Sequence, residues 1–225
     1  MGELINVSAL VFDAYGTLFD VHSVSAALEA RFPGRGAELS ERWRVRQLQY
    51  TWLRSLMGRY QDFWRVTGDA LETACASLHL RLEPRARDEL MQAYLELAPF
   101  ADVPGALLQL SGYRRAILSN GTPRMLAAVV QRAGLDKDFD AILSVDEVGI
   151  FKPHPQAYEL APRHLKASKE EILFVSSNHW DIQGAKAYGF RAAWLNRGGA
   201  PAEALGERHN LEVSTLAELA ERLKS

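Results

Sequence analysis

Five short apolar runs, separated by stretches with helical patterning, constrain the fold of this chain more than any other feature of its sequence. The runs cover residues 7–12, 114–119, 140–145, 172–176 and 191–195. An uninterrupted apolar run predicts a strand buried on both faces, as in a parallel sheet. Helical patterns over residues 123–133, 155–164 and 181–188 lie between them, with Thr122 as a predicted N-cap and Gly134 ending the first helix. This alternation predicts an α/β fold with a doubly wound, Rossmann-like parallel sheet.

The interval between the first two predicted strands is unusually long. Roughly a hundred residues separate them, whereas a crossover between parallel strands needs only about a dozen or more. Within this interval, residues 39–57, 69–80 and 85–97 carry apolar side chains at helical spacing. We therefore predict a helical cap domain, residues 21–99, inserted after the first strand of a Rossmann-like core made of residues 1–20 and 100–225.

Composition excludes several classes of function. The chain has 225 residues, 48% of them hydrophobic, and a formal net charge of −2, which gives no electrostatic case for binding nucleic acid or an anionic membrane. No stretch approaches transmembrane length and no secretion signal is recognised, so we expect a cytoplasmic protein. The single cysteine, Cys75, cannot form an internal disulfide or a cysteine metal site, and we interpret it as core filler.

Polar side chains lie at the carboxyl ends of several predicted strands, the edge at which open parallel sheets bind ligands. Asp13 ends the first strand, Ser119 and Asn120 end the second, and Lys152 lies in the loop after the third. Residues 176–178, Ser-Ser-Asn, end the fourth. Taken alone, Asp13 could be a nucleophile, a metal ligand or simply a helix cap. Four segments delivering polar groups to one edge favour a reactive site.

The motif at residues 11–18, Val-Phe-Asp-Ala-Tyr-Gly-Thr-Leu, together with these spaced segments and the inserted helices, resembles the haloacid dehalogenase superfamily over essentially the whole chain. Most members are phosphatases, which carry a second aspartate two residues after the nucleophile. This chain has Tyr15 there, a poor acid near neutral pH. The acidic residue that phosphatases place four positions before the last aspartate, to hold Mg²⁺, is Ser177 here. Both differences suit displacement of a halide, which leaves without a proton.

Residues 13–23, 32–36 and 49–57 are similar to the L-2-haloacid dehalogenase subfamily. The resemblance implies that Asp13 is the nucleophile, with Thr17 hydrogen-bonded to it, and that Arg44 receives the departing halide. It also implies that Ser119 binds the substrate carboxylate and that Asn120 contacts the halide. Lys152 is implied to be the lysine beside the nucleophile, with Tyr158 supporting it. The residues implied to order this lysine and the hydrolytic water are Ser176, Asn178 and Asp181. Those implied to form an apolar wall are Tyr15, Leu48, Phe63 and Trp180.

The implied reaction is hydrolysis of short 2-haloacids to 2-hydroxy acids through an aspartyl ester, by a homodimer that uses no metal or cofactor and has only the small haloacid as its partner. Two alternatives remain. One is a Mg²⁺-dependent phosphatase, which Tyr15 and Ser177 oppose. The other is a catalytically silent binding protein on the same fold, which the retained nucleophile Asp13 opposes.

Some of these residues also have a simpler interpretation. Arg44 lies on a helix rich in arginine and could belong to a solvated face, and Lys152 could lie on the surface. His179 and Val45 depart from the subfamily, which often has a small residue and a glutamine at these positions. An imidazole in the loop before Asp181, directed into the pocket, would take up volume and add a hydrogen-bond donor. We then expect a preference for two-carbon haloacids, extending to fluoroacetate; the alternative is that His179 points away.

Overall fold

A six-stranded parallel sheet forms the centre of the computed structural model, which describes residues 6–224; the ends of the predicted core range, residues 1–5 and 225, lie outside it. The strand order is β3-β2-β1-β4-β5-β6, and all five pairings are parallel. The strands are β1 (Ala9–Phe12), β2 (Arg114–Ser119), β3 (Ala141–Ser144), β4 (Ile172–Ser176), β5 (Arg191–Leu195) and β6 (Leu211–Val213). The doubly wound α/β class and the five predicted strands are confirmed, and β6 is an addition.

Nine α-helices are found in residues 6–224. They are α1 (Val24–Arg31), α2 (Gly36–Leu56), α3 (Phe63–Ser77), α4 (Pro84–Ala93), α5 (Val103–Gln109), α6 (Pro123–Arg132), α7 (Pro155–Leu165), α8 (His179–Tyr188) and α9 (Leu216–Arg222). The predicted cap of α6 is confirmed, because Thr122 Oγ1 accepts from the Met125 amide at 3.2 Å. Gly134 follows that helix with a φ of 67°, in the left-handed region that glycine tolerates.

The start of α8 corrects one prediction. His179 is the first residue of this helix and not part of a loop before Asp181. Asn178, at the N-cap, makes no side-chain cap hydrogen bond; its Oδ1 accepts from Arg44 Nη2 and its Nδ2 donates to Asp13. The prediction began this helix two residues late, although asparagine is one of the preferred N-cap residues.

Helices α1–α4 occupy the long interval between β1 and β2. The two chain segments that lead into and out of this interval lie side by side: the Asp20 amide donates to the Ala98 carbonyl, and the Phe100 amide to the Leu18 carbonyl, both at 2.9 Å. The four helices therefore leave and rejoin the sheet at one place. Their division from the core at residues 21 and 99 stays a prediction.

Alternating side chains of β1 pack into apolar cores on opposite faces of the sheet. Leu10 and Phe12 join one core, Ala9 and Val11 the other, and all four are fully buried. Cys75 is also buried in the first core, and burial raises the pKa of its thiol to about 11, so the thiol stays protonated. None of the helices within residues 6–224 combines the length and apolar character needed to cross a membrane.

Candidate active site

Asp13 lies where β1 ends, and hydrogen bonds reach both oxygens of its carboxylate. Oδ2 accepts from Asn178 Nδ2 at 2.8 Å, from Thr17 Oγ1 at 3.1 Å and from Ser176 Oγ at 3.4 Å, while Oδ1 accepts from Lys152 Nζ at 2.8 Å. The parallel register explains this convergence, because it brings the ends of β1 and β4 to the same edge. These four hydrogen bonds hold the Asp13 carboxylate, which is 5% exposed, in one orientation.

Lys152 bridges two carboxylates in the interior of the protein. Its Nζ lies 2.8 Å from Asp13 Oδ1 and 2.6 Å from Asp181 Oδ2, and donates to the Leu118 carbonyl at 3.1 Å. Burial by itself lowers the pKa of this ammonium, but the two carboxylates outweigh burial and leave the pKa raised. The side chain is 1% exposed, so Lys152 is not the surface residue of the simpler interpretation.

Asp181 is the fully buried partner of this lysine and lies in the first turn of α8. Its Oδ1 accepts from Tyr158 Oη at 2.6 Å and its Oδ2 from Lys152. Burial raises the pKa of Asp181 to about 6, and the Lys152 ammonium limits that rise. Gly184, one turn later, makes room for the phenol, because a Cβ there would lie 2.3 Å from Tyr158 Oη. A carboxyl group with this pKa can act as a base near neutral pH.

Arg44 reaches from α2 to the edge of the sheet. Its Nη2 donates to Asn178 Oδ1 at 3.4 Å, a long hydrogen bond, and its Nη1 donates to Gln47 Oε1 at 2.8 Å. Because Asn178 is also bonded to Asp13, the guanidinium is one side chain away from the nucleophile. Arg44 therefore faces the edge of the sheet, and the simpler interpretation, that it belongs to a solvated helix face, is wrong. Its contact with a halide stays a prediction.

Ser119 and Asn120 lie at the end of β2 and are both buried. Ser119 Oγ accepts from the Gly121 amide at 3.1 Å, and Asn120 Oδ1 accepts from the Lys152 amide at 3.0 Å. The bond from the Lys152 amide directs the oxygen of Asn120 toward the backbone, so the NH₂ group of Asn120 is the part that can donate a hydrogen bond to an anion. Asn120 thus joins the end of β2 to the Lys152 loop, which follows β3, but substrate contacts by Ser119 or Asn120 remain predictions.

The residues of the predicted apolar wall lie partly on the helices between β1 and β2 and partly on the segments that follow the strands. The ring centroids of Tyr15 and Phe63 are 5.9 Å apart, and Trp180 packs edge-on against Trp52 at 5.5 Å. Leu48 and Trp180 line a groove of about 580 Å³ together with Arg44 and Asn178. Burial, followed by the nearby Tyr94 and Asp13, raises the pKa of the Tyr15 phenol. Tyr15 therefore stays neutral and cannot replace a carboxylic acid as proton donor.

His179 lines the same groove but has other neighbours. Its ring packs edge-on against Trp194 at 4.8 Å and lies 6.4 Å from the ring of His209. The hydrogen bonds found for Asp13 within residues 6–224 come from other residues. His179 thus lines the groove without a hydrogen bond to the nucleophile, and its influence on substrate size stays a prediction.

Three polar residues around Arg44 were not predicted from the sequence to belong to the site. Gln47, Thr67 and Tyr94 are buried between α2, α3 and the segment after α4. Gln47 Nε2 donates to Thr67 Oγ1 at 2.8 Å, and Trp43 Nε1 donates to the Thr67 carbonyl at 2.8 Å. The one available signal was the spacing of Gln47, three residues after Arg44 on a predicted helix.

Comparison with known proteins gives concordant results. The family model described as haloacid dehalogenase-like hydrolase matches residues 7–189. The chain is 49% identical to the (S)-2-haloacid dehalogenase of Pseudomonas sp. strain YL, over 96% of this chain and 94% of that one. It is 44% identical to haloacetate dehalogenase H-2 of Moraxella sp. strain B, over 93% and 95% of the two chains. The structure of L-2-haloacid dehalogenase from Xanthobacter autotrophicus with chloropropionic acid covalently bound superimposes with a TM-score of 0.92, at 42% identity and 97% and 99% coverage.

Proposed function

Because this chain belongs to the haloacid dehalogenase-like hydrolases, we propose that it hydrolyses short (S)-2-haloacids to 2-hydroxy acids through an ester on Asp13. One observation carries the proposal. Asp13 is buried and is oriented by hydrogen bonds from Lys152, Thr17 and Asn178, while the position two residues later holds the neutral phenol of Tyr15. This arrangement provides a nucleophile without the carboxylic acid that an alkoxide leaving group requires.

In the first step, an Asp13 oxygen attacks the halogen-bearing carbon from the side opposite the halogen. The new carbon–oxygen bond forms as the carbon–halogen bond breaks, and the halide leaves with the bonding electrons. Arg44 and the Asn120 amide stabilise the developing negative charge, and Ser119 holds the substrate carboxylate. Donors that are already oriented in a site shielded from water stabilise such charge most effectively.

In the second step, water attacks the carbonyl carbon of the Asp13 ester. Asp181, whose pKa is about 6, takes one proton from the water as the tetrahedral intermediate forms. The intermediate then expels the substrate oxygen, which takes the second proton of that water, so the 2-hydroxy acid and the free Asp13 carboxylate result, and Asp181 releases its proton to solvent. The substrate carbon is displaced only once, so its configuration inverts. One oxygen of Asp13 leaves in the product and is replaced from water.

Substrate size follows from the groove beside Arg44. Trp180, Leu48 and His179 line it, and an imidazole there leaves less room for an alkyl tail. We propose a preference for two-carbon haloacids, extending to slow release of fluoride from fluoroacetate. The similarity to a protein named haloacetate dehalogenase supports the two-carbon part of this proposal.

The second candidate function, a Mg²⁺-dependent phosphatase on the same fold, has weaker support. Magnesium prefers several oxygen ligands, usually including carboxylates. Here Asp13 and Asp181 already share the Lys152 ammonium, Asp181 also accepts from Tyr158, and Ser177 provides no carboxylate. This donor set fits a buried ammonium better than a divalent ion, and no step of the proposed mechanism uses a metal.

We also propose that the enzyme is a cytoplasmic homodimer. Large apolar side chains are exposed on α2 and just beyond it: Val45 is 47% exposed, Leu53 50%, Leu56 84% and Met57 61%. Exposed apolar patches of this kind mark contact surfaces, and a second copy of the chain would cover them. Light scattering should give twice the chain mass of 25.1 kDa, and Leu56→Glu should reduce it toward one chain.

The reaction is tested with a panel of substrates. Purified protein is incubated with L-2-chloropropionate, D-2-chloropropionate, chloroacetate, fluoroacetate and p-nitrophenyl phosphate, each with excess EDTA and with added Mg²⁺. We expect halide release from the L-enantiomer and the acetates that is unchanged by EDTA, with no release of p-nitrophenol. Phosphate ester hydrolysis that requires Mg²⁺, without halide release, would contradict the proposal and favour the phosphatase.

A further inference from the structure

The guanidinium of Arg44 is held from two sides, and one holder is a residue to which the proposed reaction gives no role. Nη1 donates to Gln47 Oε1 at 2.8 Å, and Nη2 donates to Asn178 Oδ1 at 3.4 Å. Gln47 lies three residues after Arg44 in α2, so the two side chains share one face of the helix. Gln47 is fully buried, and a buried amide stays in place only if its polar atoms are paired.

Hydrogen bonding fixes which end of the Gln47 amide faces the arginine. Thr67 Oγ1 donates its only hydrogen to the Phe63 carbonyl at 2.6 Å. The hydroxyl must therefore accept from Gln47 Nε2, 2.8 Å away, and so the amide oxygen points to Arg44.

We infer that Gln47 is a positioning residue for departure of the halide. The inference rests on the proposed function, in which Arg44 receives the leaving ion. By accepting from Nη1, the Gln47 oxygen sets the plane of the guanidinium. Asn178, which donates to Asp13 at 2.8 Å, fixes the distance of the guanidinium from the nucleophile. Arg44 has five N–H donors, and two are used by these bonds, so the rest can face the carbon–halogen bond.

Loss of this support has a consequence that depends on the halogen. A guanidinium free to rotate binds a halide more weakly, and it no longer presents donors where charge develops in the transition state. Chloride is a poorer leaving group than bromide and needs more of this stabilisation. The effect should therefore be larger for chlorinated than for brominated substrates, whereas a general loss of structure would affect both equally.

The test compares two substitutions on one helix. Gln47→Met keeps the length of the side chain and removes the acceptor. Gln49→Met is the matched control, because Gln49 accepts from Arg46 Nη1 at 3.0 Å with the same three-residue spacing on an exposed part of α2. For Gln47→Met we expect kcat to fall about tenfold on L-2-chloropropionate and about threefold on L-2-bromopropionate, with KM changed less than about twofold. Equal losses for both halogens, or losses no larger than those of Gln49→Met, would overturn the inference.

Thr67→Val provides a second variant that does not alter Gln47 itself. It preserves the shape of the side chain and removes the hydroxyl that orients the amide. The same preference for bromide over chloride, with a smaller total loss, is the expected result. Wild-type halogen selectivity in a folded Thr67→Val variant would contradict the fixed orientation of Gln47.

A binding measurement separates this inference from the proposed reaction. Sodium bromide is titrated while the Nε–Hε resonance of Arg44, assigned by its loss in Arg44→Lys, is followed by NMR. We expect a saturable shift in the wild type that needs several-fold more bromide in Gln47→Met. That result without any halide release from haloacids would refute the reaction and still support the role of Gln47. Halide release with identical bromide titrations in the two proteins would refute the role of Gln47 and retain the reaction.

Discussion

Replacing Lys152 with methionine tests the electrostatics of the site through stability. The substitution keeps the volume of the side chain but leaves Asp13 and Asp181 buried without the ammonium that lies 2.8 and 2.6 Å from them. Removing one partner of a buried ion pair costs about 3–5 kcal/mol, and two carboxylates lose their partner here. We expect the free energy of unfolding at pH 7.5 to fall by about that amount, a large share of the ~5–15 kcal/mol typical of a protein.

The pH dependence of this loss identifies its cause. Without the ammonium, the pKa of Asp181 should rise further above 6, its present approximate value. The folded variant then binds a proton that the unfolded chain, with an aspartate pKa near 3.9, does not hold at pH 5.5. A raised folded-state pKa gives stability at low pH that is lost as the pH rises through that pKa. The difference from wild type should therefore shrink by about 1–2 kcal/mol between pH 7.5 and 5.5.

Urea denaturation at both pH values measures these free energies. Lys137→Met is the control, because Lys137 is exposed and its removal should change stability by less than ~0.5 kcal/mol. A loss below ~1 kcal/mol for Lys152→Met at pH 7.5 would refute the argument that the ammonium compensates two buried charges. If the free energy of unfolding of Lys152→Met falls by the expected amount but the fall does not depend on pH, lost packing and not lost charge compensation is the cause.

Three further predictions concern catalysis. Arg44→Lys keeps the charge but loses the planar set of donors, so kcat on L-2-chloropropionate should fall more than about tenfold with the fold retained. A near-normal rate would remove Arg44 from the mechanism. Single-turnover hydrolysis of the ester should slow as the pH falls through about 6, because Asp181 must be deprotonated to act as a base, and a flat profile down to pH 5 would exclude it. His179→Ala should accept longer haloacids and lose activity on fluoroacetate relative to chloroacetate; unchanged profiles would make His179 structural.

The sequence predicted best those parts of the fold that depend on local pattern. The strands β2, β4 and β5 have the predicted bounds, since their apolar runs end at a polar residue in β2 and β4 and directly before Asn196 in β5. The three-residue strand β6 has no such run and forms because the paired backbone of β5 is available beside it. Helix α3 begins at Phe63, six residues before the predicted start, because Asp62 caps it by accepting from the Arg65 amide.

For the site as well, positions that depend on local pattern were predictable from the sequence, and those that depend on tertiary structure were not. The placement of Asp13 at a strand end follows from the sequence, because parallel strands bring their carboxyl ends to one edge. The burial of Lys152 does not, since it depends on Leu118 and Asp181 from distant segments. Gln47 was missed for a related reason. A glutamine carries no chemical signature of function, and its role depends on the buried hydroxyl of Thr67, which lies on another helix.

Isotope labelling of Asp13 tests the central claim that this carboxylate is the nucleophile. A single turnover of L-2-chloropropionate in H₂¹⁸O, with enzyme in excess, is followed by mass spectrometry of the product and of the peptide that contains residue 13. Because water attacks the ester carbonyl, the proposed mechanism predicts ¹⁸O in Asp13 and an unlabelled 2-hydroxypropionate. It also predicts no halide release by Asp13→Asn. Label found directly in the hydroxy acid, with none in Asp13, would show that water attacks the substrate carbon and would contradict the account.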